Sequence, residues 1–98
     1  MATLATIDES EIEYEDYVSC GQRLATFLKD SEGVDIVIAL THMRMPNDMR
    51  LAEEVSKIDL ILGGHDHMYK VEQSEQGTYV IKSGTDFRDL SEVRFWIM

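Results

Sequence analysis

The sequence predicts an α/β fold in which parallel strands are joined by crossover helices. Two aliphatic runs, DIVIAL and IDLIL, show no polar alternation, which is typical of strands covered on both faces. The segment between them places apolar residues at helical spacing over about residues 48 to 57. Strand, helix and strand in this order imply a right-handed crossover and two parallel strands. A chain of 98 residues is enough for one domain at most.

The first helix is predicted from about residue 14 to residue 30, after a short strand in TLATI. Ser10 and Glu13 have the form of a capping box before it. Gly33 is expected to end it. Apolar residues recur within it at intervals of three and four: Tyr14, Tyr17, Val18, Leu24, Ala25 and Leu28.

The second helix follows the loop THMRMPND, and Asn47 or Asp48 is expected to cap it. The residues expected to face inward are Met49, Ala52 and Val55. GTYVIKSG and the stretch from about Ser91 to Trp96 are predicted to be later strands, with KSGTDFRD as the turn between them.

The composition argues against two classes of partner. A net charge of −10 does not suit a nucleic-acid surface or an anionic membrane, because either needs a basic footprint. No segment is long and apolar enough to span a bilayer. MATLATIDES lacks the basic start and apolar stretch of a signal peptide, which favours a cytoplasmic location if residue 1 is the true start.

All three histidines of the chain follow the predicted buried strands. His42 ends one aliphatic run, and His65 and His67 follow the other, after Gly63 and Gly64. Ligands of open α/β sheets bind beyond the carboxyl ends of the strands, so these imidazoles are expected on one rim. The glycines allow a sharp turn and a close backbone approach. The pattern predicts a metal site, the alternative being three structural polar histidines.

The segments ALTHMRMPND, LAEEVSKIDLILGGHDH and IKSGTDFR resemble the calcineurin-like metallophosphoesterases. They are most similar to the 5′-nucleotidase group, whose strand ends read ALTH and GGHxH. The resemblance runs from about Leu4 to Phe95. It implies a partial metallophosphoesterase α/β sandwich, in which residues 1–98 form the C-terminal half of the catalytic domain.

The resemblance also implies a role for each histidine. His42 and His65 would bind one metal of a dinuclear centre, and His67 would bind the other. Asp66 would either support these ligands from behind or face solvent. The metals would be divalent zinc, manganese, cobalt or iron, two in the complete domain and at most one, weakly held, here. The substrate of the complete enzyme would be a phosphate ester or nucleotide.

Three further residues are candidates for this rim. Arg44 and Arg88 fall in its loops and could meet a phosphate, since guanidinium groups match phosphate oxygens. The alternative is that both are surface arginines paired with nearby acids. Asp86 could hydrogen-bond a liganding histidine, although turn chemistry explains it equally well.

The departures from the family pattern limit what the chain is expected to do. The family's Asp-x-His, Gly-Asp and Gly-Asn-His-Asp or Gly-Asn-His-Glu segments do not occur in this sequence, and neither does the nucleoside-binding domain. The chain is therefore expected to be a fragment with no catalytic residue of its own, inactive alone. It would self-associate or pair with a missing N-terminal half. The alternative is a non-catalytic interaction module or pseudoenzyme fragment that pairs through an exposed sheet edge.

Overall fold

A computed structural model describes residues 15–86 and 88–96 of the chain and confirms the α/β class. No helix in these ranges is long and apolar enough to cross a membrane. The predicted strand in TLATI and the capping box of Ser10 and Glu13 lie outside the described residues. The elements, in chain order, are α1 (Tyr17–Thr26), a π-helical turn (Phe27–Ser31), β1 (Ile38–Leu40), α2 (Met45–Glu54), β2 (Leu60–Leu62), β3 (Tyr69–Gln73) and β4 (Tyr79–Ser83).

The four strands form one sheet in the order β1-β2-β4-β3. β1 and β2 are parallel with Ile38 opposite Leu60, which confirms the predicted parallel pair. β4 adds a third parallel strand beside β2, and β3 runs antiparallel to β4. The parallel strands therefore bring their carboxyl ends to one edge, where the loops that carry the histidines begin.

The antiparallel partner of β4 is β3, which precedes it in the chain. The predicted strand from Ser91 to Trp96 is wrong. The structure assigns no strand to those residues, and Ser91 instead contacts β4 through a hydroxyl pair with Ser83 at 2.7 Å. β3 and β4 are joined by a short turn in which the Ser74 N–H donates to the Thr78 carbonyl at 2.8 Å. Gly77 occupies a positive φ of 91° in that turn, a conformation that glycine adopts without steric cost.

The first helix has the predicted position but a different start. Asp16 is its N-cap, and the Asp16 carboxylate accepts hydrogen bonds from the backbone N–H groups of Val18 and Ser19 at 3.2 and 3.4 Å. The helical segment ends at Ser31, close to the predicted end, and Gly33 follows with φ +68°.

The second helix begins earlier than predicted, and neither Asn47 nor Asp48 caps it. Arg44 is the N-cap without a side-chain hydrogen bond, and Pro46 lies in the first turn, where its missing N–H costs nothing. Asp48 is buried inside the helix because its carboxylate contacts Lys82 of β4. The inward face is confirmed, since Ala52 and Val55 are buried and Met49 packs against the core.

The hydrophobic core lies between the two helices and one face of the sheet. The coverage predicted on both faces is confirmed for β2, whose successive residues Leu60 and Ile61 are both buried, but it is wrong for β1. Ala39 packs against the core, so its neighbours Ile38 and Leu40 point to the opposite face, where they are 46% and 87% exposed. The buried core comprises Val18, Ala25, Val37, Leu51, Ala52, Val55, Ile58, Ile61 and Val80.

Candidate metal centre

The carboxyl ends of β1 and β2 are held together beyond the last paired strand residues. The Thr41 N–H donates to the Leu62 carbonyl at 3.0 Å, and the Gly64 N–H donates to the Thr41 carbonyl at 3.0 Å. These bonds continue the ladder to the residues that directly precede His42 and His65. The sheet itself thus brings these two histidines to one rim, as the sequence predicts.

The imidazole rings of His42 and His65 meet on this rim. Their centroids lie 5.3 Å apart and their planes are at 87°, an edge-to-face contact. Both residues are exposed, so a solvent ion has access to them. This contact joins two histidines that are far apart in the chain, and it is the central feature of the site.

His65 adopts an unusual backbone conformation that directs this contact. Its φ is 69°, in the left-handed region, and the Asp66 N–H donates to the Gly64 carbonyl at 2.8 Å across it. A three-residue turn of this type with positive φ is rare and strained. Strain of this kind occurs most often at functional sites, where surrounding contacts hold it in place.

Gly63 and Gly64 provide close approach, as predicted. A Cβ at Gly64 would lie 2.9 Å from Nδ1 of His42, and a Cβ at Gly63 would lie 2.9 Å from Oδ2 of Asp48. Real Cβ atoms do not occupy such distances, so any side chain at Gly64 would displace the His42 ring. The positive φ of the loop falls on His65 and not on these glycines.

His67 is exposed and lies outside the ring pair of His42 and His65. Among residues 15–86 and 88–96, no group of three or more His, Cys, Asp or Glu side chains is arranged to hold a metal ion. Two imidazoles in contact fit part of a coordination sphere, since imidazole nitrogen suits zinc and related ions. A zinc site usually takes four ligands, so further donors would have to come from elsewhere. The metal roles of the three histidines stay predictions.

The remaining predicted candidates differ in their exposure and in their hydrogen-bond partners. Asp66 neither faces bulk solvent freely nor bonds a histidine: its Oδ2 accepts hydrogen bonds from the Met45 N–H at 2.8 Å and from Lys82 at 2.9 Å. Asp86 is exposed, and its carboxylate accepts a bond from the adjacent Thr85 hydroxyl at 3.1 Å. Arg44 and Arg88 are both exposed.

Sequence reasoning missed Lys82, the central polar residue beneath the rim. Its side chain is only 1% exposed. Its Nζ donates to the Met43 carbonyl at 2.5 Å, to the Gly64 carbonyl at 2.7 Å and to Asp66 at 2.9 Å. A signal was available, because Lys82 stands two residues after the buried Val80 and must share its face of the strand.

Asp48 supplies the second negative charge of this cluster and is itself fully buried. Its Oδ1 accepts a hydrogen bond from the Thr41 hydroxyl at 2.6 Å, and its Oδ2 lies 2.8 Å from Nζ of Lys82. The Oδ2 contact is an ion pair whose geometry does not meet that of a hydrogen bond.

The charges of Lys82 and Asp66 support one another. Burial alone lowers the pKa of the Lys82 ammonium, but the contacts and charges of Asp48 and Asp66 outweigh it, so the Lys82 pKa is raised. The hydrogen bond from Lys82 is the main cause that lowers the pKa of the Asp66 carboxyl. Lys82 and Asp66 therefore both stay ionised at neutral pH.

Comparison with known proteins gives two partial similarities, and no known family profile matches the chain. The chain is 39% identical over 56 residues to the trifunctional nucleotide phosphoesterase protein YfkN of Bacillus subtilis (strain 168), a match over 57% of this chain and 4% of that protein. It is 46% identical over 43 residues to an apyrase of Tabanus yao, over 43% of this chain and 8% of that protein. The matched part of the chain thus spans less than a tenth of the length of either relative. Both matches support a relationship to the phosphoesterases over these short stretches.

Proposed function

We propose that this chain is the C-terminal half of a dinuclear-metal phosphomonoester hydrolase of the 5′-nucleotidase type. The observation that carries the proposal is the contact between the His42 and His65 rings at the carboxyl ends of parallel strands. The partial similarity to a nucleotide phosphoesterase and an apyrase supports the substrate class, a phosphate ester or nucleotide.

In this proposal the chain holds metal and does not supply a proton. His42 and His65 bind one divalent ion through their ring nitrogens, and His67 binds the other. Ions of this kind, when bound, activate water and stabilise charge on phosphoryl oxygens. Arg44 or Arg88 is available to bind a substrate phosphate. The carboxylate that bridges two ions and the group that protonates the leaving oxygen come from outside these 98 residues.

Metal titration tests the histidine pair directly. We expect the chain to bind one Zn²⁺, Co²⁺ or Mn²⁺ with micromolar or weaker affinity, because two imidazoles leave half of a four-ligand sphere to water. Isothermal calorimetry should show this binding lost in a His42→Ala/His65→Ala double variant. His67→Ala, outside the ring pair, should lower the affinity less. An unchanged affinity in the double variant would refute the site.

A second candidate function is a non-catalytic interaction module. The exposed apolar side chains of Ile38 and Leu40 on β1 favour it, together with the position of β1 at an edge of the described sheet. An edge strand offers unpaired N–H and C=O groups to another chain. This candidate retains the scaffold and assigns no metal to the histidines.

Self-association is the measurable consequence of that surface. We expect sedimentation equilibrium to show concentration-dependent association, because burying Leu40, now 87% exposed, removes apolar area from water. Leu40→Lys should shift the chain toward monomer, whereas Glu75→Lys, an exposed change in the turn between β3 and β4, should not. A compact monomer at every concentration would contradict self-association, and if it also had no metal affinity it would favour a module whose partner is a different chain.

A further inference from the structure

We infer that Lys82 is the positioning residue of the candidate metal centre, holding the two histidine loops so that the His42 and His65 rings meet. This inference rests on the proposed function, because the ring contact matters only if the two histidines bind metal. Its geometry, however, can be tested in the metal-free chain.

The Lys82 ammonium donates hydrogen bonds to three residues, each of which is adjacent to a histidine in the chain. Nζ donates to the carbonyl of Met43, which follows His42, and to the carbonyl of Gly64, which precedes His65. The third bond goes to Asp66, which stands between His65 and His67. One buried cation thus joins the loop after β1 to the loop after β2, directly beside His42 and His65 in the chain.

The Gly64 carbonyl is the key acceptor, because it also closes the strained turn at His65. It accepts from the Asp66 N–H at 2.8 Å and from Lys82 at 2.7 Å. The Asp66 carboxylate in turn accepts from the Met45 N–H at the start of α2. Lys82 and Asp66 therefore hold both ends of the turn whose φ of 69° directs the imidazole of His65.

The burial of the cluster makes this arrangement specific. An ammonium that is only 1% exposed must satisfy all three donors inside the protein, so the loops have no alternative water-bonded position at equal free energy. Asp48 balances the charge from α2, and its Oδ1 accepts from the hydroxyl of Thr41, the residue before His42. Every member of the cluster is thus tied to a neighbour of a histidine.

The experiment compares the chain with an Asp48→Asn/Lys82→Met double variant, which removes the cation without leaving Asp48 charged and unpaired. In metal-free protein, proton NMR should show nuclear Overhauser contacts between the His42 and His65 rings, and these should be lost in the double variant. Contacts between Ile61 and Val80, which pair across β2 and β4, report whether the sheet remains folded. Co²⁺ affinity should fall about ten- to a hundredfold, the effect expected when a residue supporting metal ligands is removed.

Two single variants serve as controls. Asp48→Asn keeps Lys82 and its carbonyl bonds and should keep the ring contact. Lys57→Met makes the same lysine-to-methionine change at an exposed ion pair with Asp30, and should alter neither the ring contact nor the affinity. A ring contact that persists in the double variant, with Ile61 and Val80 still in place, overturns the role of Lys82.

A measurement on the unmodified chain covers the case in which the double variant does not fold. The ¹⁵N-labelled Lys82 ammonium should show couplings through its hydrogen bonds to the carbonyl carbons of Met43 and Gly64, and their absence overturns the inference. Failure of the proposed function gives a different result: the ring contact depends on Lys82 as stated, but Co²⁺ binds with the same affinity in a His42→Ala variant.

Discussion

The chain alone, even with excess divalent metal, is expected to hydrolyse AMP or p-nitrophenyl phosphate no faster than buffer and metal. Hydrolysis by the proposed route needs two ions held together, and the bridging carboxylate belongs to motifs outside this sequence. It also needs a proton donor for the leaving oxygen, and the proposed function uses all three histidines of the chain as metal ligands. A separate polypeptide carrying the Asp-x-His, Gly-Asp and Gly-Asn-His motifs should restore activity if the two assemble.

The restored activity should depend on His67. His67→Ala is expected to lower the rate at least roughly a hundredfold, because the proposed function makes His67 a ligand of the second ion. Met68→Ala changes the exposed neighbouring residue, which has no proposed contact with metal or substrate, and should leave the rate within about twofold. Chelator-sensitive turnover by the 98-residue chain alone would contradict the proposal. Assembly without any turnover would favour the interaction module.

The sequence predicted the parallel part of the fold because burial and periodicity act locally there. IDLIL is apolar throughout apart from its aspartate, and Leu60 and Ile61 are buried in β2. DIVIAL has the same composition, yet Ile38 and Leu40 are exposed. Composition gives the number of faces that a strand can bury, but it does not say whether a second layer is present to cover them.

The antiparallel strand was missed although its local signals are present. YKVEQ mixes aromatic, β-branched and polar residues, and Gly77 follows in a short turn before β4. The later stretch from Ser91 to Trp96 has similar strand propensity, so propensity alone did not choose between the two. β3 pairs with β4 through the turn between Gln73 and Tyr79. A connection from Ser83 to Ser91 would be only slightly longer, so loop-closure entropy does not decide between the two segments either.

The sequence predicted that the histidines of the candidate site lie together, but it did not reveal the buried charged residues that hold their loops. Chain positions after two parallel strands are enough to bring His42 and His65 to one rim. The support depends on Lys82, Asp48 and Asp66, which are far apart in sequence and meet only when β4 packs beside β2. Asp48 was interpreted as a helix cap because capping is a local pattern, whereas its ion pair is a tertiary one.

Lys82→Met is expected to destabilise the chain by about 3–5 kcal/mol, because removing one partner of a buried ion pair leaves the other charge uncompensated. Asp48 is fully buried, so it has no water to replace the ammonium. The carbonyls of Met43 and Gly64 also lose their donor. Domains of this kind unfold at a cost of only about 5–15 kcal/mol, so the variant should unfold at a much lower urea concentration.

A double-mutant cycle separates the charge from the packing. Asp48→Asn in the Lys82→Met background should recover the part of the loss that comes from the unpaired carboxylate, because the amide oxygen introduced at position 48 can still accept a hydrogen bond from the Thr41 hydroxyl. The control Lys57→Met breaks an exposed ion pair with Asp30 and should cost no more than about 1 kcal/mol. Equal urea midpoints for Lys82→Met and Lys57→Met would show that the buried cluster does not stabilise this fold. A large difference that Asp48→Asn partly removes would show that Lys82, which joins the histidine loops, also secures α2 against the sheet through its ion pair with Asp48.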